Sequence, residues 1–258
     1  MPLLKTPAIT LKSRKWGEAD RIVTFYTLRL GKVRGIARGA RRLKSRFGGA
    51  LEPFVSCDLN VFEKAGDSLF RISQVDVREP FTKLREDLTL MSAAARMVNL
   101  VAAITPEGDP DSRIFDTLAG GLRSLEDSHD APLTALLFQL RLLGLTGFKP
   151  QIDQCAACGN TRLADEPQFS PASGGLLCRL CARRQPVRCL PLSPGSLALM
   201  RHALRWSPAI VDRLRASGRT RAELETAIES YVTTVAGKRL PPIDFLAAEG
   251  SAVYGSPR

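Results

Sequence analysis

The chain has 258 residues, 44% of them hydrophobic and 24% charged, with a formal net charge of +11. That length admits two domains, the balance is that of a globular protein, and no apolar run approaches the roughly 18 residues of a membrane span. The charge is local: residues 1–50 hold 13 Lys and Arg against two Asp and Glu, so the rest of the chain carries 24 of each (37 less 13, 26 less 2) and is neutral. An excess confined to one region reads as an electrostatic footprint for a polyanion. A solvated face, an anionic lipid and an acidic protein tail are the competing readings. Lys5, Lys12, Arg14 and Lys15 interrupt every apolar stretch before residue 20, so no secretory leader is expected and a reducing cytoplasm is the expected compartment.

Residues 1–80 read as five short strands: from Pro7 to Lys12, Arg21 to Tyr26, Gly31 to Arg38, Val55 to Val61 and Leu69 to Val77, with a turn at Ala65-Gly66-Asp67 before the last. Val55, Cys57, Leu59 and Val61 alternate with Ser56, Asp58 and Asn60, the period of a strand with one buried face, and Cys57 reads as a small core hydrophobe. Five short antiparallel strands suit a closed barrel, because closure removes their unpaired edges. In the third strand Lys32, Arg34 and Arg38 share one face while Val33 and Ala37 share the other. Past Gly39 the cations Arg41, Arg42, Lys44 and Arg46 cluster without alternation, as on a mobile loop that extends the same surface. Guanidinium and ammonium groups meet phosphate by hydrogen bond as well as Coulomb attraction. Trp16, Phe25, Tyr26 and Phe47 are the aromatic candidates for base stacking, with Trp16 the one expected to be exposed. Backbone attraction with little base readout implies weak sequence specificity and strong salt dependence.

From Pro80 the period becomes helical. Leu84, Leu88, Met91, Ala95, Val98 and Ala102 mark one face, and helices fit residues 111–126 and 132–146. The last of these is apolar nearly all round, apart from Gln139 and Arg141, and belongs at the centre of a bundle. Gly144, Gly147 and Pro150 end it.

Next come Cys155-Ala156-Ala157-Cys158 and Cys178-Arg179-Leu180-Cys181, two pairs at zinc-ligand spacing. Two disulfides or a redox-active pair are the alternatives, disfavoured by compartment and by the repetition of the pair. Four thiolates leave no open coordination position, so Cys155, Cys158, Cys178 and Cys181 should hold one structural Zn2+. The segment 153–184 has too few apolar residues to fold on burial alone, and Phe169 and Leu176-Leu177 are expected to cover the metal. Helices resume near Pro194, with Leu197, Leu199, Met200, Leu204 and Trp206 in one stretch. Thr220-Arg221-Ala222-Glu223 has capping-box spacing ahead of a face of Leu224, Ile228, Tyr231, Val232 and Val235. Residues 249–258 read as a frayed tail. No catalytic constellation surrounds His129 or His202, and no acidic group reads as a two-metal centre, so a binding protein is expected rather than an enzyme. An RNA- or ribosome-associated zinc-ribbon protein and a nucleic-acid-processing enzyme with dispersed site residues are the alternative functions.

The sequence resembles the RecO family of bacterial DNA repair and recombination mediator proteins. The likeness runs from residue 1 to about 247. It is carried by Glu18-Ala19-Asp20-Arg21-Ile22-Val23, Gly31-Lys32, Ala37-Arg38-Gly39-Ala40-Arg41-Arg42, Lys44-Ser45-Arg46 and Leu51-Glu52-Pro53-Phe54. Further on come Phe138-Gln139-Leu140-Arg141-Leu142-Leu143, Gly147, Pro150, Cys155-Ala156-Ala157-Cys158-Gly159, Phe169-Ser170-Pro171, Ser173-Gly174-Gly175 and Cys178. The resemblance implies an α+β chain: an oligonucleotide-binding barrel over 1–80, then a helical domain over 81–248 with the zinc-binding segment 153–184 inside it. It implies a non-enzymatic mediator that binds single- and double-stranded DNA and anneals complementary strands. Its implied partners are the ring-forming RecR, the single-stranded DNA-binding protein and, functionally, the recombinase RecA, in the cytoplasm at the nucleoid. Lys32, Arg34, Arg38, Arg41, Arg42, Lys44 and Arg46 would hold the DNA backbone. The region around Arg141 would receive the acidic tail of the single-stranded DNA-binding protein. Some members lack the cysteines, and Pro241-Pro242 stands where the family commonly has Lys or Arg with Ser.

Overall fold

A computed structural model describes residues 2–63, 69–163, 167–184, 187–205 and 214–240. The turn at Ala65-Gly66-Asp67, Trp206, Pro241-Pro242 and the tail 249–258 lie outside the described residues. The chain forms two compact units, residues 2–82 with Pro106–Asp111 and residues Lys83–Thr105 with Ser112–Leu240.

The first unit is a closed five-stranded barrel made of β1 (Leu3–Trp16), β2 (Asp20–Thr27), β3 (Gly31–Ala37), β4 (Ser56–Phe62) and β5 (Phe70–Glu79), ordered β1-β2-β3-β5-β4. β1 is long enough to serve two partners. Its first half pairs with β4 from Leu3↔Phe62 to Ile9↔Ser56, and its second with β2 from Ala8↔Thr27 to Trp16↔Asp20. A bulge between Thr10 and Lys12 bends the strand from one partner to the other. The closure expected from the strand lengths is present, but the strands are not all antiparallel: β3 meets β5 in parallel through Gly35↔Phe70 and Ile36↔Arg71. β4 intervenes in the chain between them and reverses direction, so β5 arrives running the same way as β3.

Inward positions supply Ala8, Val23, Phe25, Val33, Ala37, Cys57, Leu59, Val61, Ile72 and Val75 to one core. Burying a side chain such as Phe25 contributes roughly 1.5–3 kcal/mol. Cys57 behaves as the small hydrophobe expected, and burial pushes its thiol up to about 12. The link from β3 to β4 ends in a short 3-10 turn, Gly48–Leu51, which contributes Ala50 and Leu51 to the same core, with Phe47 just before it.

The second unit contains α1 (Lys83–Glu86), α2 (Leu88–Ile104), α3 (Ser112–Glu126), α4 (Ala131–Leu145), α5 (Arg179–Arg184), α6 (Pro194–Leu204) and α7 (Gly218–Ala236). α4 packs on α2, α3, α6 and α7 and is buried nearly all round, as its composition requires. The stripe expected from Leu84 through Ala102 is broken at Asp87. Its Oδ1 accepts from the backbone N–H of Thr89 (2.6 Å) and Leu90 (3.0 Å), so a new helix begins at Leu88 and leaves that side chain 73% exposed. Leu84, Ala95 and Val98 of that stripe are buried as expected, and Ala93, Ala94, Met97, Leu100 and Val101 join them at 0–2% exposure.

The capping box expected at Thr220–Glu223 is not used. α7 starts at Gly218, and Glu223 instead receives the start of α6: Oε2 accepts from Ser193 N (2.7 Å) and Ser196 Oγ (2.6 Å), while Arg219 Nε lies 2.6 Å from Oε1. Burial opposes ionisation here, but these donors prevail and hold the carboxyl at about 2. Among the described residues no helix is long and apolar enough to cross a membrane.

Candidate nucleic-acid interface and metal centre

Strand register assembles the basic face. Lys12 pairs with Thr24 and Thr24 with Arg34; Arg14 pairs with Ile22 and Ile22 with Ile36; Trp16 pairs with Asp20. Successive side chains alternate between faces, so these rows lie on the outside of β1–β3, while Val23, Phe25, Val33 and Ala37 point into the core. Lys12 and Arg14 were not among the residues expected at the interface. Their signal was legible, since they share parity with Trp16 just as Lys32 and Arg34 share it with Arg38. Arg38 is exposed, and Trp16 is 55% exposed, as expected. Phe25, Tyr26 and Phe47 are buried, which removes them as stacking candidates.

The segment after β3 is tied down rather than loose. Gly39 N donates to Asp20 Oδ1 (2.8 Å), and Arg41 N donates to Ala19 O (2.9 Å). Arg41 Nη1 donates to Gly17 O (3.0 Å) and Glu18 O (2.8 Å). Phe47 anchors the far end in the barrel core, with the Arg46 guanidinium 5.0 Å from its ring centroid. The segment thus joins the β1–β2 turn in a single tip that displays Arg42, Lys44, Arg46 and a fully exposed Leu43. Arg41 belongs to the clamp, with one of its terminal nitrogens already given to carbonyl groups. On β3 itself Arg34 is paired: Nε lies 2.9 Å from Glu107 Oε1, and Nη2 donates to Oε2 at 3.3 Å. Lys32 is half-buried, and that burial lowers its pKa from the usual lysine value.

The two cysteine pairs converge. The Sγ atoms of Cys155, Cys158, Cys178 and Cys181 all lie within 4.8 Å of one another, and Cys158 and Cys178 are 3.8 Å apart. A tetrahedral Zn–S4 shell with bonds of about 2.3 Å has sulfur–sulfur edges of about 3.8 Å. The donor set therefore fits a small thiophilic cation. Gly159, at φ +72°, lets the first pair turn back so that its N–H donates to Cys155 O (2.9 Å), while Cys178 N donates to Cys155 Sγ (3.3 Å). Burial works against a Cys155 thiolate, yet N–H groups of Cys178, Cys158 and Ala157 bring it down to about 6. Cys181 goes the other way, pushed up to about 12 by Cys178 and Cys158 beside it. Four adjacent thiolates repel one another, and a bound cation removes that conflict because coordinated thiols are deprotonated outright.

Around the cysteines stand β6 (Gln168–Ser170), β7 (Gly175–Leu177) and β8 (Leu190–Pro191), in the order β7-β6-β8. Leu177 covers the sulfurs together with Leu163, Ala182, Val187 and Cys189. Phe169 does not: its ring meets Tyr231 of α7 edge-on at 5.7 Å, so it fastens the lobe to the helices. Alternation explains this, since Phe169 pairs with Leu176, on the opposite face from Leu177. Arg141, expected at a partner site, is half-buried on α4, and its Nη1 donates to Leu204 O (2.7 Å) at the end of α6.

Two domain profiles match the chain: "Recombination protein O N terminal" over residues 1–81 and "Recombination protein O C terminal" over residues 85–241. The chain is 36% identical to the DNA repair protein RecO of Rubrobacter xylanophilus over the full length of both. It is 31% identical to that of Desulforamulus reducens over 95% of this chain and 94% of the relative. To that of Thermobifida fusca it is 36% identical over 91% of this chain and 98% of the relative.

Proposed function

The chain belongs to the RecO family of DNA repair proteins, and from that premise we propose that it acts without catalysis, binding single- and double-stranded DNA along its barrel and annealing complementary strands. The observation that carries this reading is the clamped basic tip, which sets Arg42, Lys44 and Arg46 beside exposed Trp16 and the Arg38 end of β3. Annealing needs two phosphate backbones neutralised at once without choice of sequence, and cations that release condensed counterions meet that need. An exposed indole adds stacking, which every base accepts.

On this reading residues 1–80 are the DNA-binding domain, with Lys32, Arg34, Arg38, Arg41, Arg42, Lys44, Arg46 and Trp16 contributing to it. The helical domain proposed over 81–248 gives up Pro106–Asp111 to the barrel unit. The lobe within it, 153–184, holds one Zn2+ through Cys155, Cys158, Cys178 and Cys181. Bound there, the ion supplies a cross-link between two chain segments and no open coordination position. Arg141 serves first to hold the end of α6, and through that helix to shape a surface for the acidic tail of the single-stranded DNA-binding protein. A RecR-like ring and the RecA recombinase complete the proposed pathway, in the cytoplasm at the nucleoid.

The test is salt-dependent binding of a labelled oligo(dT) and annealing of strands coated with the single-stranded DNA-binding protein. Changing Arg38, Arg42 and Lys44 together to Ala should lower affinity and flatten the dependence on log salt by about 0.7 for each phosphate no longer neutralised. Unchanged affinity overturns the reading, and a strong preference for RNA in competition redirects it to a ribosome-associated role.

A further inference from the structure

The segment Pro106–Asp111 joins α2 to α3 in sequence, yet it forms part of the barrel unit. It carries three carboxylates, Glu107, Asp109 and Asp111, in six residues. Its backbone continues the barrel's pairing: Glu107 bridges Lys32 in parallel, and Gly108 N donates to Lys32 O at 3.0 Å. At its far end Asp111 N lies within hydrogen-bond reach of Tyr26 Oη at 3.3 Å. The approach is so close that a Cβ on Gly31 would stand 2.3 Å from Asp109 O, and Gly31 sits at φ +64°, so glycine is required there on both counts. The acidic segment is thus seated along the strand that begins the basic face.

We propose that Glu107 is a built-in competitor for DNA phosphate at Arg34, so that this acidic strap sets how tightly the barrel holds a strand. A carboxylate facing a guanidinium offers the charge and acceptor oxygens that a phosphodiester offers: Glu107 Oε2 accepts from Arg34 Nη2 at 3.3 Å, while Oε1 stands 2.9 Å from a buried Nε that makes no hydrogen bond. The two side chains are partly exposed, at 38% and 49%, while Arg34 Nε itself is buried, so phosphate exchanges with the carboxylate at the exposed atoms of the pair. Surface ion pairs of this kind are weak, which suits an interaction that yields to a polyanion. The consequence is graded affinity. The tip cations meet phosphate first, whereas Arg34 gains a phosphate only by releasing Glu107, and the carboxylate returns when the strand leaves. Annealing needs such release, because a strand held by every cation at once cannot pass to its complement.

This inference rests on the DNA-binding reading, and the experiment separates the two. Binding of labelled oligo(dT) is measured by anisotropy across a salt series for the full chain, Glu107→Gln, Asp109→Asn, Arg34→Gln with Glu107→Gln, and Arg42→Ala with Lys44→Ala. The glutamine introduced by Glu107→Gln keeps an amide oxygen for Arg34, so the strap stays seated, which thermal melting checks. Glu107→Gln should bind about three- to tenfold more tightly at low salt, with the slope against log salt steeper by about 0.7, the value for one added phosphate. The Arg34→Gln, Glu107→Gln double variant should lose that gain, and Asp109→Asn should gain less than Glu107→Gln. Equal gains from Asp109→Asn and Glu107→Gln would reduce the effect to net charge and overturn the proposal, as would unchanged or weaker binding by Glu107→Gln. If Arg42→Ala with Lys44→Ala weakens binding while Glu107→Gln does nothing, the strap proposal alone fails. If the wild-type chain does not bind oligo(dT), the DNA reading itself fails.

Discussion

Among the described residues, fourteen buried side chains from the five strands and the link between β3 and β4 fill the barrel, whereas the cysteine lobe has a buried core of three, Cys155, Leu177 and Cys178, two of them candidate metal ligands. Both regions are made of short strands, so strand content does not separate them. What differs is the source of order: the barrel removes enough apolar surface from water to stand on burial, and the lobe, with little to bury, has four thiols that could close it on a cation. The chain's net charge thus lies on the part that stands on burial, whereas the lobe, with four basic residues against three acidic over 153–184, brings together four thiols that could hold a cation.

The sharpest way to break this comparison is to strip the metal. Protein loaded with Zn2+ and then treated with a strong chelator should lose amide-exchange protection in β6, β7 and α5 while β1 to β5 keep theirs; Cys155→Ser should do the same. Structural zinc contributes on the order of 10 kcal/mol in small domains, so the change in exchange should be large. Equal loss in the barrel, or none in the lobe, would show that the two regions do not differ in this way. Phe25→Ala tests the other side. Removing this fully buried ring should cost about 3–5 kcal/mol in denaturant unfolding, whether or not the cysteines are loaded.

A smaller effect concerns the attachment of the lobe to the helices. Glu223 receives the chain at Ser193 just as it leaves β8. Its carboxyl sits at about 2 in the folded protein against an ordinary 4.5, so its contribution is present above about pH 4.5 and fades as the pH falls toward 2. Glu223→Gln should lower stability near neutral pH by about 1–3 kcal/mol, with a deficit that shrinks in acid; a deficit independent of pH would assign the loss to packing. Smallest is the clamp at the tip. Arg41→Ala should lower barrel stability by about 1 kcal/mol, where Arg42→Ala stays within about 0.5 kcal/mol of wild type. Matching melting curves for the two variants would return Arg41 to the ordinary surface cations.

The alternation of Val55, Cys57, Leu59 and Val61, the all-round apolarity of α4 and the spacing of the four cysteines were legible because each is a local property of a few consecutive residues. They determined the barrel strands, the central helix and the candidate metal ligands without reference to any tertiary neighbour. The same local reading could not tell a free cation from a paired one. Arg34 and Glu107 are 73 residues apart, Arg41 finds its carbonyls 23 and 24 residues back, and Glu223 caps a helix 30 residues before it. Nor could it foresee that Asp87 would cap α2 and expose Leu88, or that β3 and β5 would close the barrel in parallel. Periodicity belongs to the strand or helix that bears it, and sequence determines it alone. A charged side chain's partner is whichever group the chain's path brings within about 3 Å, and only the tertiary structure decides that.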